Sequence, residues 1–387
     1  MTEIYKLYGM PASLYTGKVR SYFRKQGIAF TEYGANHPDF MTRIVPTVGR
    51  FIIPVIETPE GTIVQDGTDI IDFLEEGGVS RFSVYPESPL LKVVSLLFEL
   101  FGGEGLLRPA MHYRWNFDEL NLDFIRNEFI AALAPINATK EQGNAFFDRA
   151  SGRMRNAASG FGVTEESAPI IESSYSEFLL LFAEHLEDNP YLLGGQPTIG
   201  DFGLISSLFA HLNRDPAATL FMRRTAPVVA RWVERMHGAE SNWVEYPEDT
   251  GFQSQSPPQE SLKKLMCYVA EEYLPELEAH VKFANEWLDA RPDLEAGTSG
   301  MDSPAMRTIG SAEFAWRGIT LSTLVMPYRF YLLQRIQDSF EGASAHEQAP
   351  IVALLEETGL GSLLSLKTHR RVERKNHQEV WGALRKP

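Results

Sequence analysis

Cysteine is nearly missing from this chain: its 387 residues include one, Cys267. A single thiol excludes an intramolecular disulfide and any Cys-x-x-Cys redox pair. In the run KKLMCYVAEEYL the residue falls in a helical pattern, where it reads as a small buried hydrophobe. An uninterrupted apolar run of membrane-spanning length is absent too, and the start MTEIYKLYGM lacks the basic end and apolar core of a signal peptide. A cytoplasmic protein with no membrane partner is expected, so the sequon at Asn137 carries no weight. Positive charge is in deficit: 36 Lys and Arg against 51 Asp and Glu leave a net charge of −15. Such a chain repels phosphate backbones, so no nucleic-acid partner is expected. Its one markedly basic segment, KTHRRVERKNH (Lys367 to His377), reads as a solvated or dimer-facing helix end. The nine histidines show no ligand spacing, so no metal site is expected. There is no Gly-x-Ser-x-Gly elbow, and GGEG lacks the lysine and strand context of a phosphate loop.

What is present is the balance of a soluble globular protein, 44% hydrophobic and 22% charged. Residues 1–78 alternate short strand-like and helical pieces. EIYKLYG reads as a strand, TGKVRSYFRKQGI as a helix ending at Gly27, and AFTEYG as a second strand. A loop with Pro38 and Pro46 follows, then FIIPVIET and TIVQ split by the hairpin signal Glu60-Gly61, then the helix GTDIIDFLEEGG. That order describes a small α/β domain with a mixed sheet. From SPLLKVVSLLFELF onward the periodicity is helical almost throughout. Amphipathic segments run over Leu90 to Phe101, Asn121 to Ala134, Ser174 to Leu186, Ile199 to Leu212 and Val228 to His237. The stretch YPEDTGFQSQSPPQE reads as a connection, and a helix from Ser261 to Ala290 follows it. EFAWRGITLST is a strand or a buried segment; PYRFYLLQRIQDSF and PIVALLEETGL are further helices. Three parts are expected: residues 1–80, 86–250 and a mostly helical extension, 251–387.

In FIIPVIETPEGTIVQDGTDI, Pro54 interrupts an otherwise strand-like run. Proline cannot donate to a sheet ladder. A cis Ile53–Pro54 bond would turn the chain and leave the N–H and C=O of Ile53 at an open edge, where an extended peptide can pair as a further strand. Eleven residues on, QDGTDIIDFLEE starts a helix whose first N–H groups, at Gly67 and its neighbours, form an anion site, while Asp66 adds an acceptor for an ammonium group. Such an edge suits a small zwitterionic peptide.

With IIPVIET and DGTDIIDFLE in hand, residues 1–78 resemble the thioredoxin-like domain of cytosolic glutathione transferases, with its cis-proline segment and its Glu-Ser-x-x-Ile helix start. YLLGGQPTIGDFGLISSL (Tyr191 to Leu208) resembles the (Ser/Thr)-x-Ala-Asp helix start of that family's all-helical second domain, and APVVARWVERM resembles the helix after it. Physically, Thr198 and Asp201 form a capping box, which makes Asp201 a folding residue. The resemblance covers roughly residues 1–240 and implies a thioredoxin-like domain followed by an enlarged all-α domain.

The resemblance also implies a function. YGMPASLYTGKVR resembles the Ser-x-x-x-x-(Arg/Lys)-Val loop of the Tau and Zeta classes, which carries the catalytic role to Ser13, with Lys18 and Val19 completing the pattern. Ser13 would donate to the sulfur of the co-substrate glutathione; Tyr8 and Tyr15 are competitors for that role or pocket residues. Ile53, Pro54, Gln65, Asp66 and Gly67 would anchor the tripeptide, and Tyr113, Arg114 and Trp115 fall where the family's electrophile pocket begins. Gly67 stands where the family has serine, so Thr68 or Gln65 would supply the missing hydrogen-bonding group. The implied activity is thiolate attack on a hydrophobic small molecule, in detoxification, by a homodimer. Two rivals keep the fold: a non-catalytic binding or scaffold protein, and a glutathione-dependent lyase, isomerase or dehalogenase.

Overall fold

The computed structural model describes residues 4–239, 245–246 and 258–385. Its first part is a four-stranded mixed sheet built from β1 (Tyr5–Gly9), β2 (Phe30–Gly34), β3 (Val55–Glu57) and β4 (Ile63–Gln65), in the order β2-β1-β3-β4. β2 runs parallel to β1, and β3 is antiparallel to both β1 and β4. Helices α1 (Leu14–Gln26) and α3 (Gly67–Glu76) carry Val19, Tyr22, Ile70 and Leu74 into the core shared with Leu7 and Ile56. The other face packs Tyr8 and Val55 against Phe40, Ile44 and Val48. Those three come from a single π-helical turn, Phe40–Ile44, and α2 (Val45–Val48), so the expected loop around Pro46 is helical.

Register decides where a site can form. Tyr8 lies opposite Val55, and Val55 opposite Gln65. The chain leaving β1 (Met10 to Ser13), the chain entering β3 (Ile53-Pro54) and the chain leaving β4 (Asp66-Gly67) therefore meet at one end of the sheet. Gly9 pairs with Gly34, which brings Ala35 and Asn36 to the same end.

The helical part comprises α4 (Pro89–Leu100), a π-helical turn (Phe101–Gly105), α5 (Leu107–Trp115), α6 (Asp118–Leu133), α7 (Lys140–Ser159), α8 (Ala168–His185), α9 (Ile199–Ala210), α10 (Pro216–Thr225) and α11 (Pro227–His237). α9 starts at the expected capping box: Asp201 accepts from the N–H and hydroxyl of Thr198 and from Leu192 N, and is fully buried. α4 is apolar nearly all round and buried on every side, because α9 covers one flank and the C-terminal segment the other.

That segment contains α12 (Glu260–Asp289), β5 (Gly310–Trp316), β6 (Ile319–Val325), α13 (Pro327–Glu341), α14 (Ala345–Glu357), β7 (Arg370–Lys375) and β8 (Gln378–Leu384). Two expectations change here, and one left open between strand and buried segment resolves to strand. EFAWRGITLST is part of a hairpin, β5–β6, with an alternating inside-outside pattern. The basic tail is no helix end: it is β7, turned into β8 at Asn376 and His377, both with positive φ (48° and 63°). Cys267 lies on the exposed stripe of α12, between the buried Met266 and Tyr268, and is not a core residue. The connecting stretch around 247–257, with the expected boundary at 250, lies outside the described residues.

Candidate active site

Ser13 is the N-cap of α1. Its backbone is extended, and its Oγ accepts from the N–H of Thr16 at 3.3 Å. That leaves the hydroxyl hydrogen free to donate: among the described residues no acceptor is in reach, and the side chain is half-buried. The loop is clamped from behind. Arg20 donates to Met10 O at 3.1 Å and Arg114 to Ala12 O at 2.8 Å. Arg114 is held in turn by both oxygens of Asp215, at 2.7 and 2.8 Å.

The Ile53–Pro54 peptide is cis. Among the described residues neither the N–H nor the C=O of Ile53 has a hydrogen-bond partner. The open rung expected at this proline is therefore present at the sheet end where Ser13 lies.

Asp66 has φ 92° and ψ 140°, a conformation that non-glycine residues rarely hold unless their surroundings enforce it. Here three groups do. Its Oδ1 accepts from Thr68 N at 2.9 Å, from Asp69 N at 3.5 Å and from the hydroxyl of Tyr328 at 2.8 Å. One oxygen of the expected ammonium acceptor is thus already committed to capping α3. Gly67 N–H, by contrast, has no acceptor among the described residues. Neither residue expected to stand in for the absent serine is free. Thr68 Oγ1 donates to Glu99 at 2.9 Å and receives Lys18 Nζ at 2.9 Å, and Gln65 Oε1 accepts from Arg374 at 3.0 Å.

The C-terminal segment supplies most of these partners. Tyr331 and Arg374 both donate to Asp69, at 3.0 and 2.8 Å, and Arg335 pairs with Asp72. Arg50 makes a two-pronged contact with Glu379, at 2.9 and 3.2 Å, and Arg374 pairs with the same carboxylate. Burial works to raise the Glu379 carboxyl; Arg307, Arg50 and Arg374 overcome it and hold the group at about 2. Burial and the neighbouring Asp66 push Asp69 up to about 6, against Arg374. Arg307 stands among Glu379, Tyr15, Glu104 and Asp66, whose charges keep its guanidinium above its usual value despite burial. It lies 5.9 Å from the Tyr328 ring centroid and has no hydrogen-bond acceptor in reach among the described residues.

The residues expected from the sequence to line a pocket are packed against neighbouring side chains of the described residues. Tyr8 is fully buried beside Tyr33 and Phe40, with its hydroxyl 3.4 Å from Glu57; strand alternation points it at the α2 face. Tyr15 donates to Glu104 at 2.8 Å, and burial and that carboxylate raise its phenol well above the usual range. Tyr113 is buried in a stack with Phe117, Arg114 is the loop clamp, and Trp115 packs on Phe129. The cavity at the open edge lies elsewhere. It has a volume of about 810 Å³ and is lined by Phe51 and Ile52, by α6 and α7 (Phe129, Leu133, Phe146, Met154) and by Arg50, Arg153 and Arg307. α7 was missed because its sequence, KEQGNAFFDRASGRMRNAAS, carries few apolar residues and buries only four.

A mixed sheet with a cis-proline ahead of an inner strand, joined to a helical domain containing a capping-box helix, defines the class of protein. Residues 7–77 match the glutathione S-transferase N-terminal domain, and residues 165–235 the glutathione S-transferase C-terminal domain. The chain is built on the two domains of the glutathione S-transferase family. Among solved structures it is similar to a glutathione transferase from Phanerochaete chrysosporium, with 15% identity over 62% of this chain and 98% of that one and a TM-score of 0.45. The β-etherase LigF from Sphingobium sp. strain SYK-6 is similar at 17% identity over 68% and 98%, with a TM-score of 0.40. A Ceriporiopsis subvermispora glutathione S-transferase in complex with glutathione is similar at 15% identity over 61% and 97%, with a TM-score of 0.38. No curated protein sequence matches the chain.

Proposed function

We propose that this protein is a glutathione transferase that binds the tripeptide along the open main-chain edge at Ile53 and uses Ser13 to stabilise the thiolate. The observation that carries the reading is the convergence, at one sheet end, of an unpaired backbone rung and a hydroxyl with an uncommitted hydrogen. In this reading Gly67 N–H, at the positive end of α3, takes a glutathione carboxylate. Lowering a thiol from about 8.5 by roughly two units costs about 2.7 kcal/mol. A hydrogen bond to a charged sulfur supplies roughly 1.5–3 kcal/mol. The start of α1 adds about 0.3–1 kcal/mol. The cavity beside the rung receives the electrophile. The resemblance adds a homodimer and a cytoplasmic place of action; light scattering reads the first, and fractionation the second.

A second reading, of a binding protein without the chemistry, is favoured by Tyr328 on Asp66 and Arg374 on Gln65, which occupy groups a tripeptide would use. Titrating the thiolate absorbance of bound glutathione separates the two. The transferase reading expects the bound thiol about two units below its value in solution, and Ser13→Ala should return it most of the way. Glutathione that binds with an unshifted thiol would leave only the second reading.

A further inference from the structure

Asp66 N donates to Pro54 O at 3.4 Å, so Asp66 stands beside the open rung at Ile53. The sequence places an ammonium acceptor in this corner, yet the acids there are already matched by cations of the chain itself. Arg374 uses all three of its nitrogens: Nε on Asp69 at 2.8 Å, Nη2 on Gln65 at 3.0 Å and Nη1 on Glu379. Glu379 also takes both prongs of Arg50. Asp66 accepts from Tyr328 and lies in the field of both Arg374 and Arg307. Three carboxylates, Asp66, Asp69 and Glu379, thus face three guanidinium groups, those of Arg50, Arg307 and Arg374. A further cation would meet a corner whose charge is balanced and whose acceptors Gln65 and Asp66 are only 1% and 6% exposed.

These occupants are fixed in place. Arg374 belongs to β7, where the Gln334 amide bonds both the N–H and the C=O of Val372, at 2.9 and 2.8 Å. Val372 and Trp381 of the same hairpin lie in the main core, and Tyr328 is itself buried at the start of α13. An ammonium brought into such a corner loses water without gaining an acceptor, which is costly.

We infer that this site selects a thiol peptide with no charged amine at the Asp66 end: an acylated cysteinyl compound, such as glutathione with its ammonium replaced by hydrogen. Tyr328 and Arg374 are then specificity-determining residues. The selection rests on the transferase reading for the place of the thiol, because the Ile53 rung, Gly67 N–H and Ser13 still meet its amide, its carboxylate and its sulfur. It changes only what becomes of the amino group.

Calorimetric titration of the full chain with glutathione and with glutaryl-cysteinylglycine, which differs from it by the ammonium alone, tests the selection. The deaminated thiol should bind at least about tenfold more tightly, the size of one charge-assisted hydrogen bond left unmade. Arg374→Met removes a competing cation and Tyr328→Phe frees an Asp66 oxygen. Each should tighten glutathione by about threefold to tenfold and leave the deaminated thiol within about twofold, which also shows that the site remains formed. If Arg374→Met does not fold, Tyr328→Phe and the parent comparison still decide. Glutathione bound as tightly as its deaminated form would overturn the inference and leave the transferase reading standing. Variants that shift both thiols alike would remove the assigned role of Tyr328 and Arg374. A chain that binds neither thiol would end both readings. Tight binding of the deaminated compound with an unshifted thiol would support the selection and end the transferase reading alone.

Discussion

The hydroxyl of Tyr328 donates to the carboxylate of Asp66 at 2.8 Å, across a sequence separation of 262 residues. One residue opens α13 in the C-terminal segment; the other caps α3 in the sheet domain with a positive φ. The pair joins the two ends of the chain at the edge where a tripeptide would lie.

Tyr328→Phe removes that donor and leaves the buried Asp66 with its two backbone partners. A hydrogen bond to a charged acceptor contributes about 1.5–3 kcal/mol, and the variant should lose an amount in that range. Urea unfolding reads it. A loss below about 0.5 kcal/mol would show that Asp66 finds another donor or water.

The close crossing of α4 and α9 rests on glycine. A Cβ built at Gly203 would lie 2.4 Å from the Cα of Glu99 and 2.8 Å from the carbonyl of Phe98, both backbone atoms that cannot swing aside. Gly203→Ala should therefore cost about 3 kcal/mol or more. Gly152, inside α7, meets nothing within 4 Å, so Gly152→Ala should instead gain roughly 0.5–1 kcal/mol from backbone entropy. Thermal melts of the two variants should move in opposite directions.

Much of the sheet domain could be read ahead of the structure because its signals are local. The cis-proline segment, the N-cap Ser13 and the Thr198–Asp201 box each depend on residues a few places apart. The occupants of the site do not. Tyr328, Arg374 and Glu379 reach Asp66, Gln65 and Arg50 across the whole chain, and nothing in their neighbourhoods announces it. Aromatic and basic side chains near a motif also look alike whether they line a pocket or fill a core. Tyr113 and Trp115 fall at pocket positions of the motif, but side-chain direction in α5 turns them inward. The strand β7 was hidden by its charges: only Val372 on it is fully buried, too little alternation to distinguish it from a polar helix end.

Arg114 was also expected in a pocket wall, and its actual place makes a different prediction. Its guanidinium and the Asp215 carboxylate are both buried and paired. Arg114→Met leaves that carboxylate without its counter-charge, which costs about 3–5 kcal/mol. Adding Asp215→Leu should recover part of the loss, because no bare charge then remains. A double variant no more stable than the single would point to the Ala12 contact as the part that matters.

Acid should undo the docking of the C-terminal hairpin. Glu379 titrates at about 2 in the folded protein, against a usual value of 4.5. A depressed carboxyl contributes stability above the unfolded value, and that stability drains away as pH falls through the folded one. Between about pH 4.5 and 2 the unfolded chain therefore binds more protons, and stability should rise with pH there by on the order of 3 kcal/mol from this group. Glu276 is also held at about 2 and titrates in the same window, so Glu379→Gln should flatten the slope without abolishing it. His185, pulled down to about 4 by burial, loses its contribution between about 6.5 and 4, above most of that range. His237, held down to about 2, and His280, at about 3, also titrate between pH 2 and 4. It is therefore the difference in slope between the parent and Glu379→Gln, read from urea midpoints over that range, that isolates this carboxylate. An unchanged slope in Glu379→Gln would mean that Arg50, Arg374 and Arg307 keep this group no more acidic in the folded chain than in the unfolded one.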